Sequence, residues 1–246
     1  MPIALFADIH ANREALAACL AHAQRAGADR CVFLGDLVGY GADPAWVVSA
    51  VMSQAERGAL SVLGNHDAAV AEGADERMRA GARAAVEWTR AQLDRGHLEF
   101  LAGMPLRIDE EDRLYVHANA WSPGGWEYVA GTPEARRSML ATSRRITFCG
   151  HIHEPALYHL DARRRASQFI PVPGTPIRLL SRRRWLAIVG TVGHPRDGLR
   201  AARYAVFDER KAELTCFHVP YDYEAAAEKI RKAGLPLTPL TELAKD

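Results

Sequence analysis

Residues 3–36 run IALFADIHANREALAACLAHAQRAGADRCVFLGD, and this stretch decides the fold. It contains two short apolar runs, residues 3–7 and 31–34, and each is followed by an aspartate, Asp8 and Asp36. Between them, apolar residues recur at the three- and four-residue spacing of an amphipathic helix. A strand–helix–strand order predicts parallel strands with the helix packed outside the sheet. The two aspartates should then meet at the carboxyl edge of that sheet.

The same order continues along the first half of the chain. Asn12 is predicted to cap the first helix and Gly27 to close it. Asp43 and Pro44 supply an N-cap and a first-turn proline for a second helix. A third apolar run then leads into residues 64–67, Gly-Asn-His-Asp. The first half therefore predicts a βαβαβ unit.

The second half has a different pattern. Residues 76–101 are predicted to be helical, and a last helix is predicted from Glu224 to Lys232, before a proline-containing tail. Short β-like runs broken by Gly, Pro and Arg predict a second, more antiparallel sheet. These runs are Arg113–His117, Ile146–Cys149, Ala156–Leu160, Gln168–Val172, Trp185–Ile188, Arg203–Phe207 and Glu213–His218. Because no linker-like stretch separates the halves, residues 1–246 are predicted to form one domain.

Composition excludes several kinds of protein. A net charge of +1 gives no global attraction to nucleic acid or to an anionic membrane. No apolar run is long enough to span a bilayer, and a strand is predicted almost at once, at Ile3, so we expect a cytoplasmic protein. The four cysteines have no C-x-x-C spacing and are predicted to be small core residues.

Basic residues cluster locally, at residues 144–145, 163–165 and 182–184. Such runs usually form solvated turns. The alternative is an electropositive margin that attracts anionic substrates to a site nearby.

Metal-binding side chains follow most of the predicted strands. Asp8 and His10 stand two residues apart, which on a strand would direct both toward one ion. Asp36 follows a glycine, and its two carboxylate oxygens suit it to be shared between two cations. His151 and His153 are also two residues apart, but after a turn they need not bind the same ion. Oxygen and imidazole ligands at several strand ends are what a two-metal hydrolytic site requires.

The residues at positions 64–67 are predicted to have different roles. Asn65 offers a neutral amide oxygen to a metal. His66 points elsewhere, and Asp67 is expected to hydrogen-bond it and to hold its tautomer. His117 ends a predicted strand. It is interpreted either as a metal ligand or as an ordinary strand residue.

Taken together, these motifs resemble the calcineurin-like metallophosphoesterase superfamily. The matching elements are Asp8-Ile9-His10, Gly35-Asp36, Gly64-Asn65-His66-Asp67, His117 and Gly150-His151-Ile152-His153. Residues 35–41 and 190–198 are similar to its small bacterial phosphodiesterase-like branch.

The resemblance implies a four-layer α/β/β/α sandwich of two packed mixed sheets and a dinuclear centre. By matching, one ion is held by Asp8, His10, Asp36 and His153, and the other by Asp36, Asn65, His117 and His151. His66, paired with Asp67, would face the substrate. The implied cofactors are two divalent transition-metal ions, Mn²⁺ first, with Fe, Co²⁺, Ni²⁺ or Zn²⁺ also compatible with the donors. Metal-activated hydroxide would then attack the phosphorus of a phosphodiester or a phosphomonoester.

Three departures from the family pattern affect these expectations. The protein-phosphatase signature is absent, since residues 39–41 stand where its acid–arginine pair would be, so that activity is not expected. Ala118 replaces a usual glycine beside His117. His194 replaces a usual glutamine, which leaves it as a substrate contact or as part of a structural turn.

The expected partner is a small phosphorylated substrate, nucleotides included, with no membrane and no clear nucleic-acid surface; no oligomeric state is indicated. Two alternatives stay open. A dinucleoside polyphosphate or nucleotide pyrophosphatase would use the same metals, with Trp121, Trp126 and Tyr128 as a base-stacking rim or as a packed loop. A non-catalytic scaffold on the same fold belongs to a different class of function.

Overall fold

The computed structural model describes residues 1–74, 78 and 80–236. Its strands are β1 (Pro2–Phe6), β2 (Arg30–Phe33), β3 (Leu60–Ser61), β4 (Arg107–Glu110), β5 (Arg113–Val116), β6 (Ile146–Cys149), β7 (Ala156–Leu160), β8 (Ala166–Phe169), β9 (Ile177–Arg178), β10 (Arg184–Ile188), β11 (Ala201–Asp208) and β12 (Glu213–Pro220). Its helices are α1 (Arg13–Arg25), α2 (Pro44–Ala55), α3 (Asn65–Glu72), α4 (Ala80–Ala91), α5 (Arg95–Ala102), α6 (Thr132–Leu140) and α7 (Tyr223–Lys232), with a short 3₁₀ turn at Pro123–Gly125.

The first sheet has the order β3-β2-β1-β11-β12-β9. Strands β1, β2 and β3 are parallel, as the βαβαβ prediction requires. Strand β11 pairs antiparallel with β1, placing Ile3 opposite Phe207. The expectation that all later strands form the second sheet is therefore wrong for β11 and β12. Alternation along a strand predicts which faces are buried, but it does not identify the neighbouring strand.

The second sheet has the order β4-β5-β6-β10-β7-β8. Strands β5, β6 and β10 are parallel to one another, and the remaining pairs are antiparallel. The sheet is therefore mixed. Its parallel centre points the carboxyl ends of β5 and β6 in one direction.

Successive residues of β1 separate the layers of the molecule. Ile3 and Leu5 belong to the apolar core between the sheets, together with Phe148 of β6. Ala4 and Phe6 face the other way and pack with residues of α1 and α2. A third core lies between the second sheet and α6. This arrangement is the predicted four-layer α/β/β/α sandwich of two mixed sheets, and that prediction is confirmed.

Several boundaries differ from the predictions. The helix expected over residues 76–101 is two helices, α4 and α5, and the Asp94 side chain caps the second by accepting from His97 N–H. Its first predicted residues, 76 and 77, lie outside the described part, as does most of the C-terminal tail. Strand β8 begins and ends earlier than predicted, and β4 and β9 were not anticipated.

The predicted caps of the first two helices differ in outcome. The Asn12 side chain accepts from Ala15 N–H at 3.0 Å, so the predicted N-cap of α1 is confirmed. Asp43 holds the N-cap position of α2 without a side-chain cap hydrogen bond. Its carboxylate accepts from Lys229 Nζ at 2.7 Å instead. A charged partner from α7 has replaced the backbone amide, because a charge-assisted bond is the stronger one.

The four cysteines are free, and burial raises the pKa of each thiol, as expected for core residues. Among the described residues, no helix has the length and the apolar character needed to cross a membrane. That residues 1–246 form one domain stays a prediction.

Candidate metal centre

The loops that follow β1, β2, β5 and β6 meet at one edge of the two sheets. They carry the predicted ligands Asp8 and His10, Asp36, His117, and His151 with His153 respectively. All six of these side chains are buried, none more than 7% exposed. The structure thus brings together residues as far apart in sequence as 8 and 153.

Five of these six residues have left-handed backbone conformations. The φ angles are 53° at Asp8, 50° at His10, 53° at Asp36, 69° at His151 and 70° at His153. Residues other than glycine are uncommon in this region and are held there only by their surroundings. Asp8 and His10 therefore lie beyond the end of β1, and strand alternation is not the reason that they share a cluster. Carbonyl Asp36 O helps to hold this loop by accepting from His10 N–H at 3.0 Å.

A first cluster consists of Asp8, His10 and His153. His10 Nε2 and His153 Nε2 are 3.1 Å apart, and Asp8 Oδ1 is 3.4 Å from His153 Nε2. His10 Nδ1 contacts Val38 O at 3.2 Å, and His153 Nδ1 contacts His194 O at 2.9 Å. Since carbonyls only accept, both Nδ1 atoms carry the proton, and both Nε2 atoms present lone pairs.

A second cluster consists of Asp36, His117 and His151, with Asn65 beside it. His117 Nε2 lies 3.0 Å from His151 Nδ1 and 3.2 Å from Asn65 Oδ1. The outer nitrogens of these rings contact Leu34 O at 2.8 Å and Trp126 O at 2.9 Å. Again each backbone carbonyl fixes a ring so that its other nitrogen faces the cluster.

One oxygen connects the two clusters. Asp36 Oδ2 lies 3.8 Å from His10 Nε2 and 3.4 Å from His117 Nε2. Asp36 Oδ1 is occupied separately, accepting from His66 N–H at 2.9 Å. Asp36 Oδ2 therefore faces donor nitrogens of both clusters.

The electrostatic environment of the two clusters favours a positive charge between their side chains. Burial, reinforced by the nearby Asp36, raises the pKa of Asp8 to about 8, against the opposing effect of His117. Burial opposes a charge on His117, yet the Asp36 carboxylate raises its pKa to about 9. The Asp36 carboxylate thus favours a positive charge beside it in the site. Inward lone pairs of oxygen and imidazole are hard and borderline donors that suit divalent transition metals, so the residues fit such ions.

The other imidazoles are held in the neutral form that ligates a metal. Burial lowers the pKa of His153 to about 3, with Arg196 adding to the effect. Burial also lowers the pKa of His151 to about 4, followed by repulsion from His117. The structure groups His151 with Asp36 and His153 with Asp8, which is the division that the family resemblance implies.

Asp67 has a different environment from the one expected. Its Oδ1 accepts from Leu37 N–H at 2.8 Å and from Val38 N–H at 3.1 Å, and its Oδ2 accepts from Gly64 N–H at 3.1 Å. Within the described part of the chain, no hydrogen bond joins its carboxylate to the His66 ring, so that expectation is corrected. A fully buried carboxylate satisfies its lone pairs with the nearest amides. Asp67 thereby ties the start of α3 to the loop after Asp36.

His66 is partly exposed, on the first turn of α3. Its ring centroid lies 5.0 Å from that of His10 and 4.6 Å from that of Tyr40. A Cβ at Gly39, where φ is +90°, would lie 2.5 Å from His66 Nδ1, so only glycine leaves room for this ring. One His66 nitrogen also falls within 4.8 Å of donor atoms of His10 and Asp36. His66 is thus close enough to both residues to act as a further ligand of a metal bound there, and its role needs a direct test.

Two aromatic residues lie beside the clusters; sequence reasoning missed Tyr40, and it named Tyr128 as part of a base-stacking rim or a packed loop. The Tyr40 ring stacks on the His194 ring, with centroids 4.4 Å apart and planes 12° apart. The Tyr128 ring, 50% exposed, stacks on His151 at 4.2 Å. Tyr40 lies in the matched stretch 35–41, and that was the only signal for it. His194 acts through its backbone, since its carbonyl orients His153, while its buried ring joins the stack.

A close backbone contact makes Gly193 a sensitive position. Gly193 N–H donates to Asp8 O at 3.0 Å, and a Cβ there would lie 1.7 Å from Ile9 O. We expect Gly193→Ala to separate the two loops, to lower stability by roughly 1–3 kcal/mol and to reduce metal content. Thermal unfolding and metal analysis would measure this. The control is Gly81→Ala, where a Cβ meets no atom within 4 Å; equal effects of the two substitutions would contradict the steric argument.

The chain is similar to known proteins over most of its length. Residues 1–212 match the model of the calcineurin-like phosphoesterase superfamily domain. An uncharacterized protein of Methanocaldococcus jannaschii is 35% identical over 240 residues, which cover 95% of this chain and 93% of that protein. The crystal structure of a metallophosphoesterase from Sphaerobacter thermophilus superposes with a TM-score of 0.87 at 34% identity, covering 99% of this chain and 98% of the other. A hypothetical protein of Pyrococcus horikoshii OT3 shares the fold, with a TM-score of 0.78 at 17% identity, covering 99% and 96%. This chain belongs to the calcineurin-like phosphoesterase superfamily.

Proposed function

We propose that this protein is a dinuclear metal-dependent phosphoesterase that hydrolyses phosphodiester bonds in small phosphorylated substrates. The observation that carries the proposal is the position of Asp36 Oδ2, 3.8 Å and 3.4 Å from inward imidazole nitrogens of His10 and His117. Each of those nitrogens faces a second imidazole nitrogen at 3.1 Å or 3.0 Å. Asp36 could therefore contribute to holding two divalent ions, and a pair of such ions would supply the charge stabilisation that two-metal phosphoryl transfer uses.

The proposed ligand sets follow the two clusters. Asp8, His10, Asp36 and His153 would hold one ion, and Asp36, Asn65, His117 and His151 would hold the other. Such ions, when bound, neutralise phosphate charge and lower the pKa of a water. Mn²⁺ is our first choice, with Fe, Co²⁺, Ni²⁺ and Zn²⁺ also suited to these donors.

The chain's own groups prepare the site for this chemistry. Four backbone carbonyls fix the four imidazoles in the tautomers that point lone pairs inward, so the donors need no rearrangement. Bonds from Asp67 to three amides hold the turn that carries Asn65 and His66. We propose that His66, partly exposed beside the clusters, donates a proton to the leaving oxygen of the substrate. Asp67 is then a positioning residue.

Metal content and turnover test this proposal together. We expect the purified protein to carry about two transition-metal ions per chain and to hydrolyse bis-p-nitrophenyl phosphate with Mn²⁺. His159→Ala is the control and should change neither metal content nor turnover. This histidine lies on β7, stacked on Trp185, and belongs to neither cluster. A protein that bound no more than one ion after Mn²⁺ loading would contradict the dinuclear centre. Two ions without any turnover would favour the scaffold alternative.

Tyr128 gives specific support to a second candidate, hydrolysis of dinucleoside polyphosphates. Its half-exposed ring stacks on His151, which puts an aromatic ring beside the proposed phosphate site. Such a ring can stack on a nucleobase. A panel of phosphomonoesters, cyclic nucleotides and dinucleoside polyphosphates separates the candidates by kcat/KM. A preference for dinucleoside polyphosphates that Tyr128→Ala abolished would favour the second one.

A further inference from the structure

The three arginine runs of the sequence converge on one groove of about 730 Å³ in the second sheet. Five guanidinium-bearing residues and several hydroxyl-bearing ones line it. The arginines are Arg145, Arg164, Arg182, Arg183 and Arg184. Residues separated by up to 39 positions thus form one concave basic surface, which their separate positions in the sequence did not indicate.

The groove lies at the opposite ends of the strands from the metal centre. Arg145 directly precedes β6, and Arg184 is the first residue of β10, whereas His151 follows the far end of β6. Four strand residues span roughly 13 Å at about 3.3 Å each. At physiological ionic strength, exposed charges are screened over about 8 Å. The idea that these arginines form an electropositive margin of the metal centre is therefore not supported, and their arrangement needs another explanation.

Two of the arginines are held in place by the fold. Arg184 Nη1 donates to Met139 O and to Thr142 O, each at 2.7 Å. Arg145 pairs with Asp112 at 2.7 Å and donates to Leu179 O at 3.1 Å. These contacts restrict both side chains before any ligand arrives, so less conformational entropy is lost on binding.

The other three arginines have no such partner. Within the described residues, the guanidinium groups of Arg164, Arg182 and Arg183 make no hydrogen bond or ion pair. Asp161, the one acidic residue among the described lining, already accepts from the amides of Arg163 and Arg165 and from Arg165 Nε. Three of the five guanidinium charges in the groove are therefore not balanced by a carboxylate of the described residues.

The lining also indicates the kind of anion. Guanidinium forks match phosphate oxygens in a bidentate geometry, and the hydroxyls of Ser143 and Ser181 add neutral donors. No aromatic ring is present among the described lining residues, so a nucleobase would find no stacking surface. The volume lies in the range of small-molecule sites.

We propose that this groove is a second ligand site, separate from the metal centre, for a small molecule with two phosphate groups and no aromatic base. The five arginines would divide between the two phosphates, with Arg145 and Arg184 as fixed positions and the three unpartnered arginines closing on the ligand. The proposal does not depend on the reaction at the metal centre.

Titration of the Mn²⁺-loaded full chain with fructose 1,6-bisphosphate tests the proposal by calorimetry. The test variant is Arg164→Ser/Arg182→Ser/Arg183→Ser, which removes exposed or half-buried side chains without described partners. The control variant is Arg25→Ser/Arg57→Ser/Arg210→Ser, which removes the same charge from exposed positions elsewhere. Any binding at the metal centre is common to both variants, so their difference reports the groove alone.

We expect the test variant to bind the bisphosphate about tenfold or more weakly than the control variant, while bis-p-nitrophenyl phosphate turnover stays equal in the two. A monophosphate should bind more weakly than the bisphosphate to the wild-type chain. Equal affinities of the two variants, or no binding of the bisphosphate at millimolar concentration, would overturn the proposal. It would equally be overturned if a labelled single-stranded RNA bound the groove and the bisphosphate did not displace it.

Discussion

Asp36→Asn is expected to empty both metal positions together and to lower phosphodiester turnover by roughly 10²-fold or more. The reason is the position of Oδ2, which is within 3.8 Å of inward nitrogens in both clusters. An amide replaces one carboxylate oxygen with an NH₂ group and removes the negative charge that two cations share. Loss of the charge weakens the binding of both ions, and the NH₂ group has no lone pair to donate to a metal. Metal analysis of undialysed protein, with turnover of bis-p-nitrophenyl phosphate, measures both effects.

Asp8→Asn is the matched control for this prediction. Asp8 Oδ1 is 3.4 Å from His153 Nε2, and the Asp8 carboxylate also accepts from His151 N–H. Its replacement should reduce occupancy of the first cluster more than of the second. If Asp36→Asn lost only one ion, or retained full occupancy and activity, the shared role of Asp36 would be wrong.

His66→Ala is expected to leave metal content and thermal stability nearly intact while lowering kcat by roughly 10²–10⁴-fold. The ring is partly exposed beside the clusters and is not one of the four whose outer nitrogens are fixed by backbone carbonyls. If it donates a proton to the leaving oxygen, the loss should be largest for alkyl esters. It should be smaller for p-nitrophenyl esters, because p-nitrophenolate needs little protonation. Added imidazole should restore part of the rate with alkyl esters.

Asn65→Ala tests metal ligation by Asn65, and its comparison with His66→Ala distinguishes ligation from proton donation by His66. Asn65 Oδ1 lies 3.2 Å from His117 Nε2, so its loss should weaken one ion. The comparison is needed because one His66 nitrogen lies within 4.8 Å of donor atoms of His10 and Asp36 and could itself bind a metal. A metal ion lost with His66→Ala would make His66 a ligand. Equal slowing of good and poor leaving groups would instead leave it a role in stabilising charge in the transition state.

Asp67→Asn should act through the backbone. The carboxylate accepts from three amides, and an asparagine would turn an NH₂ group toward at least one of them. An unsatisfied buried amide costs about 1–3 kcal/mol. We therefore expect a lower melting temperature together with reduced kcat. A normal melting temperature with reduced kcat would point back to direct orientation of His66.

Much of the fold follows from local patterns in the sequence. Strands β1 and β2 fall in short apolar runs that lead to Asp8 and Asp36, and α1 has a capping side chain, Asn12, at its start. These signals involve residues within a few positions of one another, so they are visible in the sequence. The positions of the ligands at strand ends follow in turn, because parallel strands end at the same edge.

Other features depended on contacts between distant residues. The pairing of β11 with β1 joins residues about 200 positions apart, and apolar alternation carries no information on such a partner. The left-handed backbone at Asp8 and His10 has no sequence signal, since it is imposed by the loops that pack around it. The stacking of Tyr40 on His194 likewise depends on a contact between residues that are distant in the sequence.

The sequence by itself determined the types of the proposed ligands and their order along the chain, because metal chemistry depends on which donor atoms are present. Only the tertiary structure decided which donor atoms meet. It grouped His153 with Asp8 and His151 with Asp36, gave Asp67 three backbone amides rather than the His66 ring, and gathered three arginine runs into one groove remote from the metal centre. The physical reason is that a side chain's partners are set by packing across sheets and loops, whereas the sequence records only neighbours along the chain.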